Sequence, residues 1–171
     1  MGLRALPPAI GNGLVAGAAG TAAMTLSSTV EMRLRGREPS DVPARAAARV
    51  LGAEPASEHE RRRFATLVHR GYGTAWGTVR GVMGACGVRG ARAGGLFLAI
   101  VWSTELVTLP ALDIGVLPVW RWGIAEISLD LLHHDVYATA TSAAYEWLDT
   151  ATARARPPAA RGRRRPSRSP V

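Results

Sequence analysis

Four long apolar segments dominate the pattern of hydrophobic and polar positions along the chain. Each is rich in Ala, Gly, Leu and Val, and each approaches or exceeds the roughly 20 residues that a helix needs to cross about 30 Å of hydrocarbon. These segments span residues 9–32, 66–88, 93–112 and 124–148. The pattern therefore predicts an all-α membrane protein, with about four transmembrane helices packed as a small bundle in one domain, residues 1–149.

Two polar segments accompany the apolar ones. Residues 33–63 hold eight arginines and five acids, and within them Pro43–Leu51 is predicted to form a short amphipathic helix on the membrane surface. Ser40 or Asp41 is expected to cap this helix, and Gly52 to end it. Residues 150–171 contain seven arginines, four prolines and no acids, so they cannot form a core. They predict a disordered, basic tail on the cytoplasmic side.

Arginine supplies all 21 basic residues, and the formal net charge is +8. Heavy use of Arg and Ala is typical of a GC-rich bacterial genome. The basic tail selects the cytoplasm under the positive-inside rule, so four spans predict a multi-pass inner-membrane protein with both termini cytoplasmic. The tail is expected to bind anionic lipid headgroups rather than nucleic acid.

The loop 33–63 conflicts with this topology, because four spans place its eight arginines outside. A three-span alternative removes the conflict. In that arrangement residues 66–88 do not cross, the N-terminus is outside, and residues 33–92 are cytoplasmic. We favour four spans because the second segment carries a glycine face that needs a partner helix.

Glycines recur on one face of the first two segments. Small residues at this spacing let helix backbones approach closely in lipid, where packing drives association. The predicted helix-packing residues are Gly13, Gly17, Gly20, Gly73, Gly77, Gly81 and Gly84. Those of the second segment form a glycine zipper.

Ionisable residues interrupt the apolar segments, and such groups are expensive at bilayer depth. A polar stripe is predicted along one face of 124–148, with Asp135 on the opposite side. Glu105 and Arg80, from the neighbouring segments, are the candidate partners of the stripe. The candidate intramembrane polar site comprises Arg80, Glu105, Glu126, Asp130, His133, His134 and Tyr137.

Three functions are compatible with this stripe. The favoured one is structural or partner-binding, because interhelical hydrogen bonds can set helix register without transport. The second is a subunit of a proton-coupled transporter or channel, with a titratable path through Glu105, Glu126, Asp130 and His133. The short chain shows no internal repeat, so such a subunit would need to form a homo-oligomer.

The third is a metal or haem site. Asp130 and His133 have the i, i+3 spacing of di-iron bundles, with Glu31 and Glu105 as further carboxylates. Alternatively, His69 pairs with His133 or His134 around haem. A second Glu-x-x-His is missing and residues 66–88 offer only His69, so we expect no metal and no cofactor.

Enzyme motifs are not found in the sequence. There is no Gly-rich phosphate loop, no Gly-x-Ser-x-Gly and no His-Glu-x-x-His. The single cysteine, Cys86, excludes an intramolecular disulfide and a Cys-based zinc site. We therefore do not expect an enzyme.

Most of residues 9–148 resembles YagU-like bacterial inner-membrane proteins of unknown function. The resemblance lies in the glycine-rich first span and in three runs: HRGYGTAWGTVRG at 69–81, VWSTELVTLPAL at 101–112 and LLHHDVYATATSAAYEWL at 131–148. It implies a polytopic inner-membrane protein and supplies no catalytic residues. Asp135 departs from the pattern, in which an apolar residue is expected.

Overall fold

A computed structural model describes residues 6–38, 40–53 and 55–155, and this part of the chain is all-helical without a strand. A short 3₁₀ turn, Val119–Arg121, precedes the last helix. The five α-helices are α1 (Leu6–Arg35), α2 (Val42–Leu51), α3 (Glu58–Ala85), α4 (Gly90–Ala111) and α5 (Ile124–Ala155). The predicted all-α class is confirmed.

Local signals in the sequence set the ends of α2 and α3. The Ser57 hydroxyl accepts the Glu60 N–H at 3.2 Å, and the Glu60 carboxylate accepts the Ser57 N–H at 3.3 Å. This capping box starts α3, because it satisfies backbone donors that have no partner inside the helix. The α2 helix ends at Gly52, whose φ of +63° lies in the left-handed region that glycine adopts without steric cost.

Helix α1 runs antiparallel to both α3 and α5. Its start lies beside the end of α5, where Asn12 donates to Thr152 at 3.2 Å, and its later turns meet the earlier part of each partner helix. Helix α4 is antiparallel to α5, with Gly94 near Ser142 and Trp102 bonded to Asp130. The four long helices therefore alternate in direction along the chain.

This alternation gives the bundle two ends. The terminal end holds the start of α1, the end of α3, the start of α4 and the end of α5. The α2 end holds α2 and the connection 112–123, which are joined by a 2.7 Å hydrogen bond from Arg45 to the Ile114 carbonyl. The first and last described residues thus lie at the same end.

Glycines bring the backbones of α1 and α3 into direct contact. A Cβ added at Gly77 would lie 2.7 Å from the Gly17 Cα, and one added at Gly17 would lie 2.9 Å from the Gly77 Cα. A Cβ at Gly13 would lie 3.2 Å from the Gly81 Cα. No side chain larger than hydrogen fits between the helices at these positions.

The remaining predicted packing glycines meet side chains or α5. Gly73 faces Thr21, Gly20 faces Thr141 and the Tyr137 carbonyl, and Gly84 lies under the ring of Tyr145. Helix α5 therefore packs against small residues of both α1 and α3. A buried apolar cluster joins it to α3 and α4, comprising Met83, Ala93, Phe97, Val101, Tyr137 and Ala138.

Helix α5 is longer than expected. The predicted disordered tail begins at residue 150, but the helix continues to Ala155. The remainder of that tail, residues 156–171, lies outside the described residues.

Two helices, α1 and α4, are long and apolar enough to cross a membrane, by length and composition. Helices α3 and α5 do not meet the same test, so the predicted four spans are not confirmed. Only 17% of the most apolar part of α4 is buried within the protein, against 33% for α1. Much of their apolar surface is thus uncovered, which weakly suggests membrane association.

Replacing Gly77 with Leu should lower the free energy of unfolding in detergent by about 3 kcal/mol or more, the upper end of overpacking costs. The reason is that the added side chain meets backbone atoms of α1, which cannot rotate away. Gly71→Leu is the matched control, because a Cβ at Gly71 meets nothing within 4 Å. Thermal denaturation of both variants checks the prediction, and equal stability of the two would contradict it.

Candidate functional site

The polar side chains of α5 contact all three of the other long helices. Tyr137 donates its hydroxyl to the Gly73 carbonyl of α3 at 2.6 Å. His133 faces α1, whereas the adjacent His134 faces α4. Because consecutive helical residues are about 100° apart, neighbouring histidines reach different helices.

Glu105, Asp130 and His134 form a carboxylate–histidine cluster between α4 and α5. The Nε2 atom of His134 contacts the Glu105 carboxylate, and its Nδ1 lies 2.8 Å from the Asp130 carbonyl oxygen. The Asp130 carboxylate accepts the indole N–H of Trp102 at 2.7 Å. Potential ligand atoms from the three residues all lie within 4.8 Å of one another. The cluster can therefore lock two helices, share a proton or hold a cation.

A second group surrounds His133 at the same end of the bundle. Ser27 Oγ lies 2.9 Å from His133 Nδ1, and Glu31 Oε2 lies 3.9 Å from His133 Nε2. Glu31 was expected at the membrane interface, but its side chain is only 8% exposed. It is covered because Arg35 and Arg37 fold back onto its carboxylate, at 3.2 and 2.8 Å. The hydrogen bond between Arg37 and the Glu31 carboxylate raises the pKa of Arg37.

Arg80 lies near the terminal end and is completely buried. Its guanidinium donates to Glu146 at 3.0 Å and to Ser142 at 3.2 Å, and it stacks 4.5 Å over the Tyr145 ring. The sequence predicts Arg80 as a partner of the α5 stripe near Asp130. In the structure, however, Arg80 and Asp130 lie at opposite ends of the bundle. Arg80 therefore serves a separate site.

Glu146 belongs to the Arg80 site, but the sequence did not predict it as a site residue. It lies off the predicted stripe, so a projection of α5 alone does not select it. The information that would have identified it is the register of the parallel helices α3 and α5. Residues in contact across these helices differ by 64 in number, as Gly73 and Tyr137 do, and Gly81 and Tyr145. That offset places Arg80 opposite position 144, two residues from Glu146. The register itself was not readable from either segment alone.

Glu126 and Asp135 do not join these groups. Glu126 is exposed, and its carboxylate accepts the Gly123 N–H at 2.9 Å, which stabilises the first turn of α5. The predicted stripe therefore does not extend to Glu126, because the helix begins only two residues earlier. Asp135 is exposed on the side away from the buried histidines, as its position in the sequence indicates.

The fold does not bring Asp130 and His133 into one site, as the predicted di-iron spacing requires. Asp130 lies with His134, at spacing i, i+4, while His133 lies with Glu31. The third histidine of the haem alternative, His69, has its Nε2 3.2 Å from the Thr25 hydroxyl. The two buried histidines of α5 thus belong to different groups.

Replacing Glu146 with Ala should destabilise the protein by about 2 kcal/mol, because it leaves the buried Arg80 guanidinium without its anionic partner. The loss is below the roughly 3–5 kcal/mol for fully buried pairs, since the Glu146 side chain is 39% exposed. Glu126→Ala is the control and should cost far less. Chemical denaturation in detergent measures both, and an equal loss from the two variants would show that Arg80 does not depend on Glu146.

Comparisons with known proteins give no match. No protein-family model, no curated protein and no solved structure matches the chain. The resemblance to YagU-like inner-membrane proteins therefore stays a prediction, based on the sequence runs at 69–81, 101–112 and 131–148.

Proposed function

We propose that this chain is a small multi-pass protein of the bacterial inner membrane, in which the buried polar residues of α5 hold the bundle in register and fix a partner-binding surface. It acts as a structural or partner-binding component rather than as an enzyme. One observation carries this proposal: the buried polar face of α5 finds partners on α1, α3 and α4. Such contacts specify helix register where apolar small-residue surfaces do not.

The apolar exterior supports the membrane part of the proposal. Large hydrophobic side chains are exposed along the long helices, including Val15 and Leu26 of α1 and Val107 of α4. A bilayer would cover these side chains. The alternating directions of α1, α3, α4 and α5 are those of four consecutive crossings, with both termini on one side.

Ion pairs hold many of the arginines in the loop 33–63 at the α2 end. Among the described residues, five of its eight arginines lie within 4 Å of an acid, namely Arg35, Arg37, Arg45, Arg61 and Arg62. Acids weigh little in the positive-inside rule, so these pairs neutralise charge locally while the conflict with four spans stays. Arg89 and Arg92 lie at the terminal end, and the basic tail, which follows α5 in the sequence, would bind anionic headgroups on the cytoplasmic face.

Reporter fusions at the N- and C-termini should both report the cytoplasm, because four crossings return the chain to its starting side. The measurement pairs a reporter active only in the cytoplasm with one active only in the periplasm. A fusion after Gly52, in the loop between α2 and α3, should report the periplasm. A periplasmic N-terminus with a cytoplasmic Gly52 fusion would contradict four spans and favour three.

Reconstitution in vesicles tests the structural role of the α5 polar face. The proposal expects no proton flux through the purified protein under a pH gradient. Flux that Asp130→Asn abolishes while the helix content and elution volume stay unchanged would replace the structural role with the proton-coupled alternative.

A further inference from the structure

The hydrogen bonds of His134 determine which ring nitrogen carries a proton. A carbonyl oxygen only accepts hydrogen bonds, so Nδ1, 2.8 Å from the Asp130 carbonyl, must be the protonated nitrogen. In a neutral imidazole Nε2 then has a free lone pair. That lone pair points at the Glu105 carboxylate, which also has only lone pairs to offer. Two such atoms repel unless they share a cation, either a proton between them or a metal ion that both coordinate.

The charge of the surroundings favours a divalent ion over a proton. The cluster contains two carboxylates, Glu105 and Asp130, and a proton on His134 would leave it with a net charge of −1. Among the described residues, no arginine lies within 4 Å of either carboxylate. This preference for a divalent ion rests on the proposed membrane location, where uncompensated charge is costly. A divalent ion with a neutral imidazole ligand leaves no net charge.

The ligands are also held in place by neighbouring groups. Trp102 donates its indole N–H to one Asp130 oxygen at 2.7 Å, which leaves the other oxygen, Oδ1, for coordination. The bond from Nδ1 to a backbone carbonyl orients the His134 ring, which is the usual outer contact of a metal-bound histidine. The carboxylate side chains are not enclosed by the bundle, since Glu105 is 27% and Asp130 24% exposed.

From these contacts we propose that Glu105, Asp130 and His134 bind one divalent transition-metal ion between α4 and α5. One imidazole nitrogen and two carboxylate oxygens suit Zn²⁺, Mn²⁺ or Fe²⁺, and the set is too nitrogen-poor for a dedicated copper site. Three protein ligands leave a coordination position for water. The site joins α4 to α5 and is separate from the Arg80 site at the terminal end.

The test uses the full chain, purified in detergent through a tag without histidines and stripped with a chelator. Titration with Co²⁺ should give visible d–d absorption that saturates at one ion per chain, and Zn²⁺ should displace it. Each of Glu105→Gln, Asp130→Asn and His134→Gln should weaken Co²⁺ binding at least about tenfold, since each removes a ligand. Glu105→Gln and Asp130→Asn keep the side-chain size, and His134→Gln keeps a polar side chain that can form hydrogen bonds.

Two matched controls separate coordination from general charge effects. Asp135→Asn removes an exposed carboxylate of the same helix, and His133→Gln removes the adjacent buried histidine; neither should change the affinity. X-ray absorption of the Co²⁺-loaded wild-type protein should show nitrogen and oxygen ligands, and this result does not depend on any variant folding.

No saturable binding by the wild-type protein would overturn the proposal and leave a proton between His134 and Glu105. Binding retained by His134→Gln, or lost equally in His133→Gln, would overturn it as well. The structural role of the α5 polar face does not depend on either outcome, because its contacts with α1 and α3 lie outside the cluster.

Discussion

Direct contact between the backbones of α1 and α3 is the constraint on which the rest of this structure depends. At Gly13, Gly17, Gly77 and Gly81 the two helices are so close that a single added Cβ would meet backbone atoms. This approach leaves room for α5 to lie against small residues of both helices, at Gly20 and Gly84. With bulkier residues at these positions, the polar face of α5 would lose its partners on α1 and α3.

Small-residue contacts bring helices together but specify their register poorly, because a slide of one turn replaces one glycine with the next. The buried polar groups supply the missing specificity. Arg80 meets Glu146 near the terminal end, while His133 and His134 meet Glu31 and Glu105 near the α2 end. Between them lies the apolar cluster around Phe97 and Tyr137. A shift of α5 by one turn would separate Arg80 from Glu146, and the two histidines from their carboxylates, at once. Buried charges would then be left unpaired.

The sequence predicts the elements of this fold better than it predicts their partners. Helical class, the glycine faces and the inward direction of His134 and Tyr137 follow from local spacing, because a helix fixes which residues share a face. The pairing of Arg80 with Glu146 does not follow, since it depends on the register between α3 and α5. The burial of Glu31 was missed for a related reason: it requires Arg37, beyond the helix end, to fold back.

Cysteine cross-linking between α1 and α3 tests the central contact most directly. A Cβ at residue 73 would lie 3.3 Å from the Cβ of Thr21, close to the roughly 3.5–4.5 Å that a disulfide needs. In a Cys86→Ala background, oxidation of membranes holding Thr21→Cys with Gly73→Cys should give a rapid intramolecular disulfide. The pair Thr21→Cys with Gly71→Cys should not, because residue 71 faces away from α1. Equal cross-linking of the two pairs, or only dimers between chains, would contradict the account.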